Sequence, residues 1–364
     1  MDHIETNHGR LDLPAFLPDA TRGVVRAVDA GDTRACGVTA CMVNTLHLSH
    51  QPGTGRIQQV GGIHRFMGWD GPVASDSGGF QVYSLATQSP DLVRLSKDGF
   101  SYRRTKDDRK HLLTPEKCIQ KQFELGSDIM FCLDHCTHPD EPEDTQRRSV
   151  QITVEWSRRC RQEFDRRVQR WPAERRPPLL FAVVQGGGSP DLRRACIDQL
   201  LQVGFDGYGY GGWPIGKGGQ LVDMVELVAR GLPPGALKHG LGIGKPENVV
   251  KAHAAGYQLF DCVLPTRDAR RGRLSVFSPE PCRSTIVAAD PFYHYVYIQD
   301  EQHGHDDRPV DDGCDCLTCR RYSRAYLNHL FIAKDPVAYR LATMHNLRFY
   351  ARLMELLATT GDSL

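Results

Sequence analysis

Three observations on the amino-acid sequence predict an α/β fold, a (β/α)8 or TIM barrel with an extra subdomain near its C-terminus. Eight short apolar runs alternate with helix-compatible segments over roughly 250 of the 364 residues. The runs are continuously apolar, which is typical of parallel strands buried on both faces. The chain beyond about Ser278 is longer than one barrel helix requires, and it contains three clustered cysteines.

The eight predicted strands follow the chain in order, and amphipathic segments separate many of them. We place the strands at residues 15–18, 38–44, 72–76, 128–134, 179–185, 207–212, 240–244 and 259–264. Helices are expected at 115–125, 144–168 and 191–203. We expect a barrel core with an N-terminal hairpin over residues 1–277, a metal-binding subdomain over 278–345 and a closing helix over 346–364.

Composition excludes several classes of protein. The net charge is +1, so any nucleic-acid contact has to come from locally clustered basic residues. No apolar run is long enough to predict a membrane span, and the N-terminus lacks the apolar core of a signal peptide. Nine of the twelve cysteines are scattered singly, which indicates reduced thiols and a cytoplasmic protein.

Polar residues stand at the ends of several predicted strands. Asp76, Asp134, Gln185 and Gly212 each end an apolar run, and Asp261 lies within the eighth. In a barrel these ends meet on one face, where active sites are built. Two acids, an amide and a glycine suit the binding of a nucleobase. The alternative is that strands end in polar residues because loops are polar.

The segment Asp76-Ser77-Gly78-Gly79-Phe80 would bring backbone N–H groups and an aromatic ring to that face. Two glycines allow close approach of a ligand, and Phe80 could stack on a planar base. A carboxylate such as Asp134 accepts paired hydrogen bonds from the N1–H and amino group of a guanine-like ring. A tight turn with a core phenylalanine is the alternative.

Asp261 precedes a cluster of arginines that includes Arg267 and Arg270. A carboxylate on a rigid strand beside guanidinium groups indicates carboxylate chemistry on a polyanion. A buried aspartate that caps a neighbouring segment, next to a solvated basic loop, would give the same pattern.

Cys314, Cys316 and Cys319 are spaced as ligands of a soft metal ion such as zinc. A structural zinc site needs a fourth ligand. Spacing alone leaves four candidates, which are His303, His305, His329 and His345.

The collinear motifs of the whole chain resemble the tRNA-guanine transglycosylase family. They are NTLHL at 44–48, GGIHRFM at 61–67, DSGGFQ at 76–81, LTPE at 113–116, GSDI at 126–129, GKP at 244–246, FDCVLPTR at 260–267 and CDCLTCRRYSRAYLNHL from Cys314. The resemblance implies a (β/α)8 barrel with an inserted zinc subdomain. It also implies exchange of a tRNA guanine for a free 7-deazaguanine base at the anticodon wobble position, in the queuosine pathway.

The resemblance also assigns roles to residues. Asp261 would be the nucleophile that holds the RNA covalently, and Asp76 the general acid/base. The base would contact Ser77, Gly78, Gly79, Phe80, Asp134, Gln185 and Gly212, and the anticodon loop would contact Lys245, Thr266, Arg267 and Arg270. One structural Zn²⁺ would be bound by Cys314, Cys316, Cys319 and His345. Family members are often dimers, which leaves a homodimer open.

The sixth loop departs from the bacterial form of the family, which usually reads GGLAVGE. Here Trp213, Pro214, Ile215 and Lys217 occupy that wall, with Lys217 in place of a glutamate linked to the aminomethyl group of the incoming base. The incoming base is therefore left open. A paralogous transglycosylase acting on DNA or another RNA, and a non-catalytic RNA-binding partner subunit, are the alternative functions.

Overall fold

The computed structural model describes residues 2–278, 281–288 and 291–359. Its centre is a sheet of eight parallel strands. The strands are β1 Ala15–Pro18, β2 Cys41–Asn44, β3 Val73–Asp76, β4 Ile129–Phe131, β5 Leu179–Val184, β6 Gly207–Tyr210, β7 Leu237–Gly240 and β8 Leu259–Cys262. They pair in the order β1-β8-β7-β6-β5-β4-β3-β2. A backbone hydrogen bond from Ala20 N to Met42 O (2.7 Å) and a parallel bridge between Asp19 and Met42 join β1 to β2. The predicted (β/α)8 barrel is confirmed.

Apolar side chains fill the barrel interior because alternate residues of each strand point inward. Leu17, Phe131, Phe181 and Leu259 form one buried cluster with residues of the N-terminal hairpin, such as Leu11. That hairpin consists of the antiparallel strands His3–Thr6 and Gly9–Asp12. It packs against the interior from the end at which the strands begin, so the opposite end is left for a site.

Helices connect the strands, and several begin at the residues that the sequence marks. Pro115–Leu125 has the predicted bounds, with Thr114 accepting a hydrogen bond from Lys117 N, and Ser189 caps the helix after β5 in the same way. The other helices up to β8 are Ala30–Ala35, Thr45–His50, Thr54–Gln59, Ile63–Met67, Gly79–Gln88, Glu143–Val168, Pro190–Val203, Asp223–Gly231 and Pro246–Ala254, with a 3₁₀ turn at Pro90–Leu92. The antiparallel strands Val93–Ser96, Gly99–Tyr102 and His111–Leu113 lie between β3 and β4.

The position predicted for the seventh strand was wrong. The strand is Leu237–Gly240, whereas most of the predicted segment 240–244 forms the turn that follows it. Lys238 and His239 make the strand appear polar in sequence, yet all four of its residues are buried. The buried ammonium group of Lys238 is satisfied by a hydrogen bond from Nζ to the carbonyl oxygen of Ala236 at 3.3 Å.

The C-terminal part of the chain packs across β1 and β8. It contains the helix Leu264–Ala269, the antiparallel strands Arg273–Phe277 and Tyr293–Tyr297, the helices Arg283–Ala288, Leu317–Arg321, Arg324–Ile332 and Pro336–Ala358, and a 3₁₀ turn at Glu301–His305. Phe349 and Leu353 of the last helix pack in one buried cluster with Phe16. The same helix carries His345 and continues past it, so the division of the chain at residues 277 and 345 stays a proposal.

Among the described helices, none combines the length and the hydropathy that crossing a membrane requires.

Candidate active site and metal centre

The side chains expected at the strand ends lie at the carboxyl end of the barrel. Asp76 is the last residue of β3, Asp261 is the third residue of β8, and Gln185 directly follows β5. Asp134 and Gly212 lie in the loops after β4 and β6. Parallel strands in one barrel point these ends in the same direction, and this brings residues far apart in sequence to one face.

Asp76 is held by polar groups at the end of β2 and on the helix that follows β3. Its Oδ2 accepts hydrogen bonds from Asn44 Nδ2 (2.6 Å) and Gln81 Nε2 (3.3 Å), and its Oδ1 accepts one from Thr45 N (3.1 Å). Burial raises the pKa of Asp76 to about 7, against the lowering effect of the Thr45 bond, and the charge of Asp261 raises it further. A carboxyl group with this pKa can take up and release a proton near neutral pH.

Asp134 and Gln185 form an adjacent hydrogen-bonding pair. Gln185 Nε2 donates to Asp134 Oδ2 at 2.6 Å, and Ser77 Oγ donates to Asp134 Oδ1 at 3.4 Å. Burial raises the pKa of Asp134 to about 6 despite these bonds. The pair offers carboxylate oxygens and an amide on one side of the pocket, which matches the hydrogen-bonding edge of a guanine-like base.

Glycines set the close approach of the loops to this pair. Gly78 has φ +79°, and a Cβ there would lie 2.8 Å from Leu46 Cβ. A Cβ on Gly211 would lie 2.6 Å from Gln185 Nε2. Both contacts are shorter than side-chain carbons tolerate, so a larger residue would displace the pocket wall.

Aromatic rings form the mouth of the pocket. Phe80 is 45% exposed, and its ring centroid lies 5.7 Å from that of Trp213 in an edge-on arrangement. The ring centroid of His138 lies 5.4 Å from that of Trp213. Behind Gly212 the cavity has a volume of about 320 Å³ and is lined partly by apolar side chains, among them Val222. The cavity therefore extends from Gln185 and Gly212 to Trp213.

Asp261 is hydrogen-bonded from β7 and the turn that follows it. His239 Nε2 lies 2.9 Å from Asp261 Oδ1, and Gly242 N donates to the same oxygen at 3.2 Å. The Asp261 side chain is 21% exposed, so it can reach a ligand.

The residues expected to contact RNA differ in exposure. Arg267 is 45% exposed, whereas Arg270 is half-buried, and its guanidinium pKa is lowered by burial and by the nearby Arg26. Lys245 pairs with Glu247 at 2.6 Å. Thr266 is buried, and its hydroxyl donates to Val263 O at 3.4 Å. Of the two exposed cations, Arg267 lies on the helix that follows β8, and Lys245 precedes the helix that follows β7.

Four further polar residues belong to this region, and the sequence interpretation assigned them no role. Asp19 directly follows β1, and burial raises its pKa, with Asp261 contributing to the rise. Asn44 is hydrogen-bonded to the carboxylate of Asp76, and His239 to that of Asp261.

The buried Arg193 donates to the carbonyl oxygens of Gly187, Val184 and Gly211, and its guanidinium lies over the ring of Tyr210. The expectation that site residues stand at the ends of barrel strands would also have found Asp19 and Asn44. No sequence signal indicated His239 or Arg193.

The three clustered cysteines meet His345 within the C-terminal part of the chain. The Sγ atoms of Cys314, Cys316 and Cys319 and a nitrogen of His345 all lie within 4.8 Å of one another. His345 Nε2 donates to the carbonyl oxygen of Ser275 at 2.9 Å, and its Nδ1 lies 3.2 Å from Cys319 Sγ. The hydrogen bond to Ser275 fixes the orientation of the ring, so that the lone pair of Nδ1 faces the thiols. The four residues could therefore hold a metal ion.

A second group of potential ligands, His8, His64 and Asp128, lies where β4 begins, at the opposite end of the barrel. Asp128 accepts hydrogen bonds from both rings, at 2.8 and 3.0 Å, and from Val73 N at 2.9 Å. The imidazole rings stack with centroids 3.4 Å apart and planes 14° from parallel. Two stacked, nearly parallel imidazole rings cannot both direct an in-plane lone pair at the same metal ion. This group is therefore a set of mutual hydrogen bonds rather than a metal site.

Known proteins resemble this chain over nearly its whole length. The family model described as queuine tRNA-ribosyltransferase matches residues 1–358. A queuine tRNA-ribosyltransferase of Solidesulfovibrio magneticus is 39% identical over 353 residues, which is 97% of this chain and 88% of that protein. Its counterpart in Syntrophobacter fumaroxidans is 38% identical over 96% of this chain and 87% of its own length. The chain belongs to the queuine tRNA-ribosyltransferase family.

Proposed function

We propose that the protein is a tRNA-guanine transglycosylase, which exchanges the guanine at the anticodon wobble position of tRNA for a 7-deazaguanine base. The observation that carries this proposal is the grouping of Asp76, Asp134 and Asp261 at the carboxyl ends of three barrel strands. Membership of the family supports the reaction class and tRNA as the substrate.

The exchange would proceed through a covalent intermediate on Asp261. A carboxylate oxygen forms a bond to C1′ of the ribose as the bond from C1′ to guanine N9 breaks, and N9 takes the electron pair. Asp76 supplies the proton that the leaving base needs. In the second half the incoming base gives its proton to Asp76, and its N9 displaces the carboxylate. The pKa of about 7 suits Asp76 to both transfers.

The base would be held by the pair Asp134 and Gln185. The carboxylate accepts from N1–H and the amino group of guanine, and the amide of Gln185 donates to the carbonyl oxygen. Phe80 would cover one face of the ring. Contacts from the loop backbone would complete the site, through Ser77, Gly78, Gly79 and Gly212. The target base must leave its stack to enter this pocket, and this costs least when the base lies unpaired in a loop.

The RNA backbone would run past the helix that follows β8. Arg267 and Arg270 lie on that side of Asp261, and Lys245 follows β7. Their charges suit phosphate groups of an anticodon loop. Thr266 was expected to contact the RNA, but its side chain is buried, so we propose that it supports this helix instead. A homodimer and a cytoplasmic location also remain part of the proposal, the latter consistent with twelve cysteines of which none forms a disulfide within the described residues.

The part of the cavity that would face the incoming base contains the residues at which this chain departs from the bacterial form of the family. Lys217 is 93% exposed and lies 3.5 Å from a carboxylate oxygen of Asp140, so its charge is partly compensated. Both residues line the cavity behind Gly212 together with Trp213. A lysine here disfavours a positively charged aminomethyl substituent, and we propose that the protein uses a neutral 7-deazaguanine.

We assign the Cys314, Cys316, Cys319 and His345 cluster to one structural Zn²⁺. Three thiolates and an imidazole form a complete tetrahedral set, which leaves no position for a catalytic water. The bound ion would tie the Leu317–Arg321 segment to the last helix. None of the proposed chemical steps passes through it.

An Asp261→Ala variant tests the proposed function. It should lose incorporation of labelled guanine into tRNA and lose a denaturation-resistant RNA adduct on a gel. Asp12→Ala is the matched control, because Asp12 is 71% exposed on the N-terminal hairpin. Full exchange activity in Asp261→Ala would contradict the mechanism. Incorporation into duplex DNA but not tRNA would favour a paralogous activity, and tRNA binding without exchange would favour a non-catalytic partner subunit.

A further inference from the structure

His239 lies between the barrel interior and the carboxylate of Asp261. It is fully buried on β7, and its ring meets the ring of Phe131 edge-on at 5.3 Å with an interplanar angle of 82°. Only one edge of the imidazole, at Nε2, faces the active site, where it lies 2.9 Å from Asp261 Oδ1. The packing therefore restricts His239 to one partner.

The two oxygens of Asp261 have different surroundings. Oδ1 accepts from His239 Nε2 and from Gly242 N. Among the residues that the structure describes, no donor is recorded for Oδ2. Two donors from one strand and its turn fix the carboxylate plane, and they leave Oδ2 as the oxygen free to react.

The hydrogen-bonding pattern also fixes the tautomer of His239. An ionised carboxylate only accepts hydrogen bonds, so the proton must lie on Nε2. Nδ1 is buried and has no hydrogen-bond partner within the described part of the chain. Because turning the ring over would replace Nε2 by a carbon, it would remove the contact with Asp261.

We propose that His239 is a positioning residue, which holds Asp261 Oδ1 so that Oδ2 attacks the ribose. This inference rests on the proposed function of Asp261. In the first step Oδ2 bonds to C1′, the bond from C1′ to N9 breaks, and Oδ1 becomes the carbonyl oxygen of a neutral ester. In the second step N9 of the incoming base attacks C1′, and the electron pair of the C1′–Oδ2 bond returns to the carboxylate.

A donor at Oδ1 favours the carboxylate over the ester, because hydrogen bonds to charged groups are the stronger ones. His239 therefore stabilises the free carboxylate that the second step regenerates, and it orients the carboxylate for the first attack. Its loss should slow exchange and shift the equilibrium towards the covalent adduct. A hydrogen bond to a charged group corresponds to about a 10- to 100-fold effect.

The test compares His239→Gln with His239→Met in the full chain. The two side chains have similar size and shape, but only glutamine offers an N–H donor near the position of Nε2. We expect His239→Met to reduce the exchange rate at saturating tRNA by tenfold or more, with KM for tRNA within twofold of the unmodified protein. The fraction of RNA trapped as adduct should rise. His239→Gln should recover most of the lost rate.

Thermal unfolding and zinc content of both variants report on folding. Equal impairment of the two variants, with unchanged unfolding temperatures, would show that packing rather than the donor matters and would overturn the inference. A His239→Met exchange rate and adduct fraction within twofold of the unmodified protein would overturn it as well. Absence of any adduct in the unmodified protein would instead refute the covalent function of Asp261 on which the inference rests.

Discussion

Replacing Asp76 by asparagine should change how the stability of the protein depends on pH. The pKa of this carboxyl group is raised from an ordinary value of 3.8 to about 7, chiefly by burial. Ionisation is therefore easier in the unfolded chain, and the native protein loses stability as pH rises from about 4 to 7. Asparagine cannot ionise, so the Asp76→Asn variant lacks this loss.

The magnitude follows from the raised pKa. One pKa unit corresponds to about 1.4 kcal/mol. About one unit of the rise is already expressed at pH 5, and about two units remain between pH 5 and pH 8. The free energy of unfolding of Asp76→Asn, relative to the unmodified protein, should therefore increase by about 2–3 kcal/mol over this range. The cost of misplacing the asparagine NH₂ group near Thr45 N is the same at both pH values, so it cancels.

Denaturant unfolding of both proteins at pH 5 and pH 8 measures this difference. The metal site and the other acids are common to both proteins, so their own titrations largely cancel. A relative stability that stays constant within about 0.5 kcal/mol would refute the raised pKa of Asp76 and its use as an acid/base near neutral pH. The same variant should lose exchange activity, because an amide cannot transfer the proton.

Three further predictions concern the surroundings of the site. Arg193→Met should lower the free energy of unfolding by about 3 kcal/mol or more, because it leaves buried carbonyl oxygens without donors. Arg194 is exposed on the same helix, so the control variant Arg194→Met should change the free energy of unfolding by less than about 0.5 kcal/mol. Cys316→Ser should reduce zinc, measured by metal analysis, from about one ion per chain to a small fraction; an unchanged content would contradict the assignment. Lys217→Glu should raise the preference for the aminomethyl deazaguanine over the nitrile deazaguanine by about tenfold. A competition assay that offers guanine, both deazaguanines and queuine measures this preference. Equal preference in the variant and the unmodified protein would exclude Lys217 from base selection.

The architecture could be predicted because local signals agreed with one another. Continuous apolar runs separated by capped helices specify parallel strands and crossovers, and seven of the eight strands lie within the predicted segments. The exception is β7, whose Lys238 and His239 are buried although their side chains are polar. Local hydrophobicity cannot show that a lysine will satisfy its ammonium group on a nearby carbonyl.

Sequence by itself also determined the family, the acids at the strand ends and the cysteine cluster, because motifs and spacings are properties of the chain. The contacts between these residues were decided only by the tertiary structure. His239 and Asp261 lie 22 residues apart and on different strands, yet the parallel pairing of β7 with β8 places their side chains 2.9 Å apart. Arg193, on the helix that precedes β6, similarly donates to the carbonyl oxygen of Gly211, which follows β6, at 3.0 Å. Such contacts depend on the curvature and register of the closed barrel, which no local pattern of residues encodes.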